Sequence, residues 1–122
     1  MKKITSLLIL STALVSASAF AKDCEKGADS MGEIRQCLFD QSYIPVEANY
    51  KALIKSQGTN RDAIEAIKKA QTDWLTFMQS TCDYVAITYK GEGYSDDART
   101  SCLTDFNDGR AKTLKRYISE AR

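Results

Sequence analysis

Four cysteines, Cys24, Cys37, Cys82 and Cys102, limit what this chain of 122 residues can fold into more than any other feature. Their number is even, their spacings are long, and the chain contains no histidine. Structural zinc takes four cysteine or histidine ligands, commonly from close-set pairs such as Cys-x2-Cys, so these residues point away from a metal site. In an oxidising compartment the same thiols read as two disulfides that staple a small domain. Four cysteines allow three pairings.

The start of the chain supplies such a compartment. Lys2 and Lys3 precede an apolar stretch from position 4 to about 15, and small residues then lead to Ala19-Phe20-Ala21. A charged start, a short apolar centre and an A-x-A exit form the layout of a secretory signal peptide. The apolar run is shorter than the roughly 20 residues that span a bilayer. Asp23, directly before Cys24, does not suit lipoprotein processing. The reading is therefore a signal peptide over residues 1–21, cleaved after Ala21, and a single domain over residues 22–122. Its product is periplasmic or secreted, without stable membrane insertion. Loss of Lys2 and Lys3 leaves 15 basic against 16 acidic residues. Nucleic acid is thereby disfavoured as a partner, because binding polyanions needs clustered positive charge.

Helical spacing dominates the remainder. Ile64, Ile67, Gln71, Trp74, Met78, Thr81 and Val85 recur at steps of three and four and share one helix face, which Ala70 and Phe77 would widen. Asn60 suits the N-cap of this helix, and Gly91 and Gly93 suit its end. A second helix begins near Ser95, expected to be capped by Ser95, with Asp96 and Asp97 in the positive first turn. Its apolar side uses Ala98, Cys102, Leu103, Phe106, Gly109, Thr113, Leu114, Tyr117 and Ala121. A short loop joins the two, so they should pack as an antiparallel hairpin. Ahead of them, Ser30-Met31-Gly32-Glu33 has the form of a capping box. Pro45, the single proline, should break or kink the first helix near Tyr43-Ile44. The expected fold is all-α: a bundle of three to four helices with an antiparallel C-terminal hairpin and two disulfides.

The hairpin favours one cysteine pairing. Cys82 and Cys102 each lie ten residues from Glu92, the centre of the loop, so they sit at about the same height on facing helices. Cys24 would then pair with Cys37.

Catalytic chemistry is scarce. Without histidine there is no Ser-His-Asp or Cys-His pair, and the cysteines are spent on disulfides. Asp96, Asp97, Asp105 and Asp108 could supply a glycosidase-like carboxylate pair, but so small a bundle offers little room for a substrate cleft. No enzyme, no cofactor and no metal are expected. The charge pattern says more. Asp83, Glu92, Asp96, Asp97, Asp105 and Asp108 are opposed only by Lys90 and Arg99, and the sign reverses from Arg110 onward. Dipole matching and solvation explain part of this. The other reading is an acidic hairpin tip that meets a basic protein, with Tyr89, Glu92, Tyr94, Asp96 and Asp97 as candidate contacts.

The run from Gln71 to Cys82 contains Gln71, Trp74, Phe77 and Cys82 as Q-x2-W-x2-aromatic-x4-C. It resembles the signature of the LprI-type lysozyme inhibitor family, small exported helical proteins. Cys37 and Tyr50 upstream, and Cys102, Arg110 and Leu114 downstream, extend the resemblance over nearly all of the mature chain. The chain departs from the family pattern at Met78-Gln79, where Arg-Asp is usual, and at Val46-Glu47, where Leu-Asn is usual. It also lacks the founding member's lipid anchor. The resemblance implies a disulfide-bonded helical domain and, for some members, binding to lysozyme. Gln71, Trp74, Phe77, Arg110 and Tyr50 are then signature and core residues. Gln71, polar on an apolar seam, is expected to form a buried hydrogen bond between helices, to Arg110 or to a backbone group. The resulting expectation is a protein-binding module that occludes a basic, lysozyme-like hydrolase. The runner-up is a periplasmic immunity or accessory protein for another secreted partner.

Overall fold

The computed structural model describes residues 23–121; the expected signal peptide and its cleavage site lie outside them. Three helices follow one another: α1 (Met31–Ser56), α2 (Arg61–Thr88) and α3 (Ser95–Glu120). Each start has a local cause. Ser30 Oγ accepts a hydrogen bond from the Glu33 N–H at 3.2 Å, and the Glu33 carboxylate reaches back to the Asp29 N–H at 2.7 Å. This is a capping box whose return bond lands one residue early. Asn60 Oδ1 caps α2 by accepting from the Ala63 N–H at 3.1 Å. Ser95 does not cap α3. It is the first helical residue, and the cap position falls to Tyr94, whose side chain makes no capping bond. The field of Asp96 and Asp97 in the first turn replaces a cap there.

Pro45 does not break the first helix, which continues through it. Its ring faces solvent, while Ser42 and Val46 on either side are buried. Packing on both sides of the proline outweighs the loss of one backbone hydrogen bond.

The register of the bundle can be read from paired residues. Arg35 meets Asp97, Ser42 meets Asn107, and Asn49 Nδ2 donates to the Ala111 carbonyl, so α1 and α3 run parallel. Asp83 meets Arg99, Phe77 meets Phe106, and Gln71 meets Arg110, so α2 runs antiparallel to α3. Helix α3 is thus central and packs along both others. It needs two seams. Cys102, Phe106 and Arg110 face α2, while Leu103, Asn107, Ala111 and Leu114 are buried. The single apolar side expected for α3 is corrected accordingly: Gly109, Tyr117 and Ala121 are exposed, and Asn107 and Ala111 are inside.

The core has two parts. Val46, Leu53, Ala111 and Leu114 form one, with Tyr50, Ile67 and Ile118 against it. Met78, Cys82 and Leu103 form the other, with Phe39, Leu75 and Phe106 against it. Trp74 packs on both and joins them. The expected disulfides are present, Cys24–Cys37 and Cys82–Cys102, each with a Cα–Cα distance of 5.6 Å.

One polar contact sits inside the α1–α3 seam. Asn107, fully buried, donates through Nδ2 to Ser42 Oγ at 2.9 Å, and Ser42 donates to the Phe39 carbonyl at 2.7 Å. Asn107 Oδ1 has no hydrogen-bond partner among the described residues. Ser42→Ala is expected to cost about 2 kcal/mol, because the amide then loses its acceptor as well. Adding Asn107→Leu should recover most of that loss, since no buried polar group is left stranded. Urea unfolding of the two variants checks this; a double variant no more stable than S42A would contradict it.

Candidate functional site

Two clusters contain the residues singled out from the sequence. The first is internal. Gln71 is buried, and its Oε1 accepts from Arg110 Nε at 3.1 Å and Nη2 at 3.0 Å. The Arg110 guanidinium lies 5.4 Å from the Trp74 ring centre, within cation–π range. Burial lowers the Arg110 pKa below its ordinary value, but guanidinium titrates so high that it remains charged. The amide oxygen and the aromatic face together hold this partly buried charge and link α2 to α3. Tyr50 lies half-buried against the Val46–Leu114 part of the core. Phe77 does not belong there. It is 61% exposed and meets Phe106 edge-on at 5.7 Å between ring centres. Ala70 is exposed too. The buried arc of α2 is narrower than its apolar arc because only α3 packs along it at length.

The second cluster lies at the hairpin turn. Gly91 and Gly93 adopt φ of +94° and +82°, conformations that only glycine takes cheaply, and these reverse the chain. The reversal brings Tyr89 and Tyr94 together, 5.2 Å between ring centres at 46°. The Tyr94 hydroxyl donates to the Glu92 carboxylate, and this hydrogen bond raises the phenol pKa above its ordinary value.

Beside the turn, a shallow groove of about 660 Å³ runs over α3 between the start of α1 and the end of α2. Tyr89, Tyr94 and Asp97 line it, together with Arg35, Asp105 and Phe106. Its size falls in the range of ligand pockets. The acidic residues singled out from the sequence fall in different surroundings. Asp97 is ion-paired to Arg35 of α1, and Asp83 to Arg99 at 2.6 Å. Asp96 is exposed and outside the walls. Arg35 and Phe106 were missed as groove residues, and Asp105 was seen only as one acid among several. The available signal was the spacing of Asp97, Ser101 and Asp105, which places them on one face of α3.

Among the described residues no group of three acidic, cysteine or histidine side chains could hold a metal, and no helix is long and apolar enough to cross a membrane. What the site can do is bind: it offers aromatic rings, carboxylates and an open floor.

Comparison with known proteins gives this geometry a context. An uncharacterized protein of Rhizobium meliloti (strain 1021) is similar, 26% identical across 95% of this chain and 93% of its own length. No solved structure matches significantly. The model of the family described as lysozyme inhibitor LprI matches residues 21–114, from before the first cysteine to Leu114 in the core. The chain therefore belongs to the LprI lysozyme inhibitor family.

Proposed function

We propose that the chain is exported, loses residues 1–21, and serves in the periplasm or outside the cell as a non-catalytic inhibitor of a basic lysozyme-type hydrolase. It covers the enzyme's cleft with the α2–α3 turn. Family membership supports the inhibitory role. The observation that carries the reading is the turn itself, where the Tyr89 and Tyr94 rings meet at the edge of an open groove and Glu92 accepts the Tyr94 hydroxyl. Tyrosine contributes large contact area at low entropic cost, and acidic residues steer a basic partner into register. Two disulfides suit such a domain to an oxidising environment.

The test is the lysis of bacterial cells by a basic lysozyme, followed as turbidity, with the mature protein added. Micromolar protein should slow lysis, and rising salt should weaken the effect as the charges are screened. Tyr89→Ala with Tyr94→Ala should reduce inhibition about tenfold. Unchanged lysis at micromolar protein, with no complex at low salt, would end this reading.

A further inference from the structure

Asp105 lies on α3, below the turn, and is exposed. It lines the 660 Å³ groove, a second depression of about 390 Å³ toward Trp74 and Thr113, and a smaller third one toward Leu38. The three depressions adjoin, and Asp105 is the residue they share.

Its neighbours differ from it in one respect. Asp97 is held by Arg35, Asp83 by Arg99, and Glu92 receives the Tyr94 hydroxyl. Asp105 has no hydrogen bond or ion pair among the described residues. The Arg35 charge in the same groove is already answered by Asp97, and Arg110, which lines the second depression with Asp105, is held by the neutral Gln71 amide oxygen and the Trp74 ring. Aromatic rings share the groove with this carboxylate: Phe106 beside it in two of the depressions, and the Tyr89–Tyr94 pair at the upper end.

A planar cation fits these neighbours. Guanidinium meets a carboxylate through two parallel hydrogen bonds, lies flat on aromatic faces, and is less strongly hydrated than an ammonium. We propose that the groove over α3 receives an arginine side chain of the partner protein, with Asp105 as its counter-ion and the Phe106, Tyr89 and Tyr94 rings as its walls. This rests on the reading of the chain as a protein-binding inhibitor. It moves the specificity-determining contact from the loop to the body of α3.

The site can be tested apart from inhibition. The mature protein is titrated by NMR with a blocked Gly-Arg-Gly tripeptide, its citrulline counterpart, its lysine counterpart and a chitooligosaccharide. The arginine peptide should shift signals of Ser101, Asp105, Phe106 and Tyr89. The neutral citrulline peptide should leave them in place, and the lysine peptide should bind more weakly. Asp105→Asn should weaken the arginine peptide about tenfold. Asp108→Asn, an exposed acid outside all three depressions, should not. If the arginine peptide fails to bind, or D105N binds it as the parent does, the proposal is overturned. Binding of the chitooligosaccharide alone overturns it in favour of a glycan groove.

The lysis assay separates the two readings. Inhibition that persists in D105N removes the arginine site and leaves the inhibitor role standing. Absent inhibition with Asp105-dependent peptide binding removes the role and keeps the site.

Discussion

Removing the Cys82–Cys102 bond as the C82A/C102A double variant is expected to lower the thermal midpoint by about 15 °C, corresponding to about 3 kcal/mol. The bond closes a loop of sequence separation 20 across the α2–α3 turn, so cutting it releases that loop in the unfolded chain. It also lies in the core: Cys82 is fully buried and packs with Met78 and Leu103. Losing both sulfur atoms there opens space that neighbours fill only in part. The C24A/C37A variant makes a useful contrast. Its bond closes a separation of 13, and loop entropy alone would make the two losses similar. The segment it ties down, however, is a short stretch of turns ahead of α1, touched by the Gln41 amide at the Cys24 sulfur. Its release should be local, shifting the midpoint by less than half as much. Calorimetry on both variants decides the matter; equal shifts would show that the N-terminal staple is as integral as the hairpin staple.

Leu114→Ala should cost about 3 kcal/mol, the usual loss for a buried leucine that leaves a partly collapsed cavity. Leu114 is fully buried where α1 and α3 meet, and Val46, Leu53 and Ala111 surround it. Phe77→Ala, a larger truncation of a residue in the family signature, should cost no more than about 1 kcal/mol, because the ring is already largely in water and gives up little beyond its edge contact with Phe106. Chemical unfolding of the pair tests the ordering directly. Were F77A the more damaging, the exposed position of that ring would be wrong.

The reversal between these two residues shows how sequence periodicity works and where it stops. Spacings of three and four placed Gln71 and Met78 in the buried arc of α2 and Ile64, Ile67, Trp74, Thr81 and Val85 half-buried beside them, but left out Cys82 and Leu75. They could not set its width, which depends on how many helices lie against it. Phe77 and Ala70 fell just beyond the edge. In α3 the error ran the other way: a single apolar stripe was expected, but a central helix has two neighbours. Asn107, polar and fully buried, lies on the seam outside that stripe. Pro45 shows the same effect, its local penalty outweighed by Ser42 and Val46 seated on α3.

By itself the sequence determined the helical class, the helix ends marked by Ser30, Asn60 and the loop glycines, and the pairing of Cys82 with Cys102. All of these depend on residues near one another in the chain or related by a single short turn. Only the tertiary structure decided that α1 lies parallel to α3, that Arg35 takes up Asp97, and that Asp105 is left unpaired in the groove over α3. The Arg35–Asp97 pair and the α1 wall of the groove join segments far apart in the chain, and no local propensity records which distant side chain will reach them.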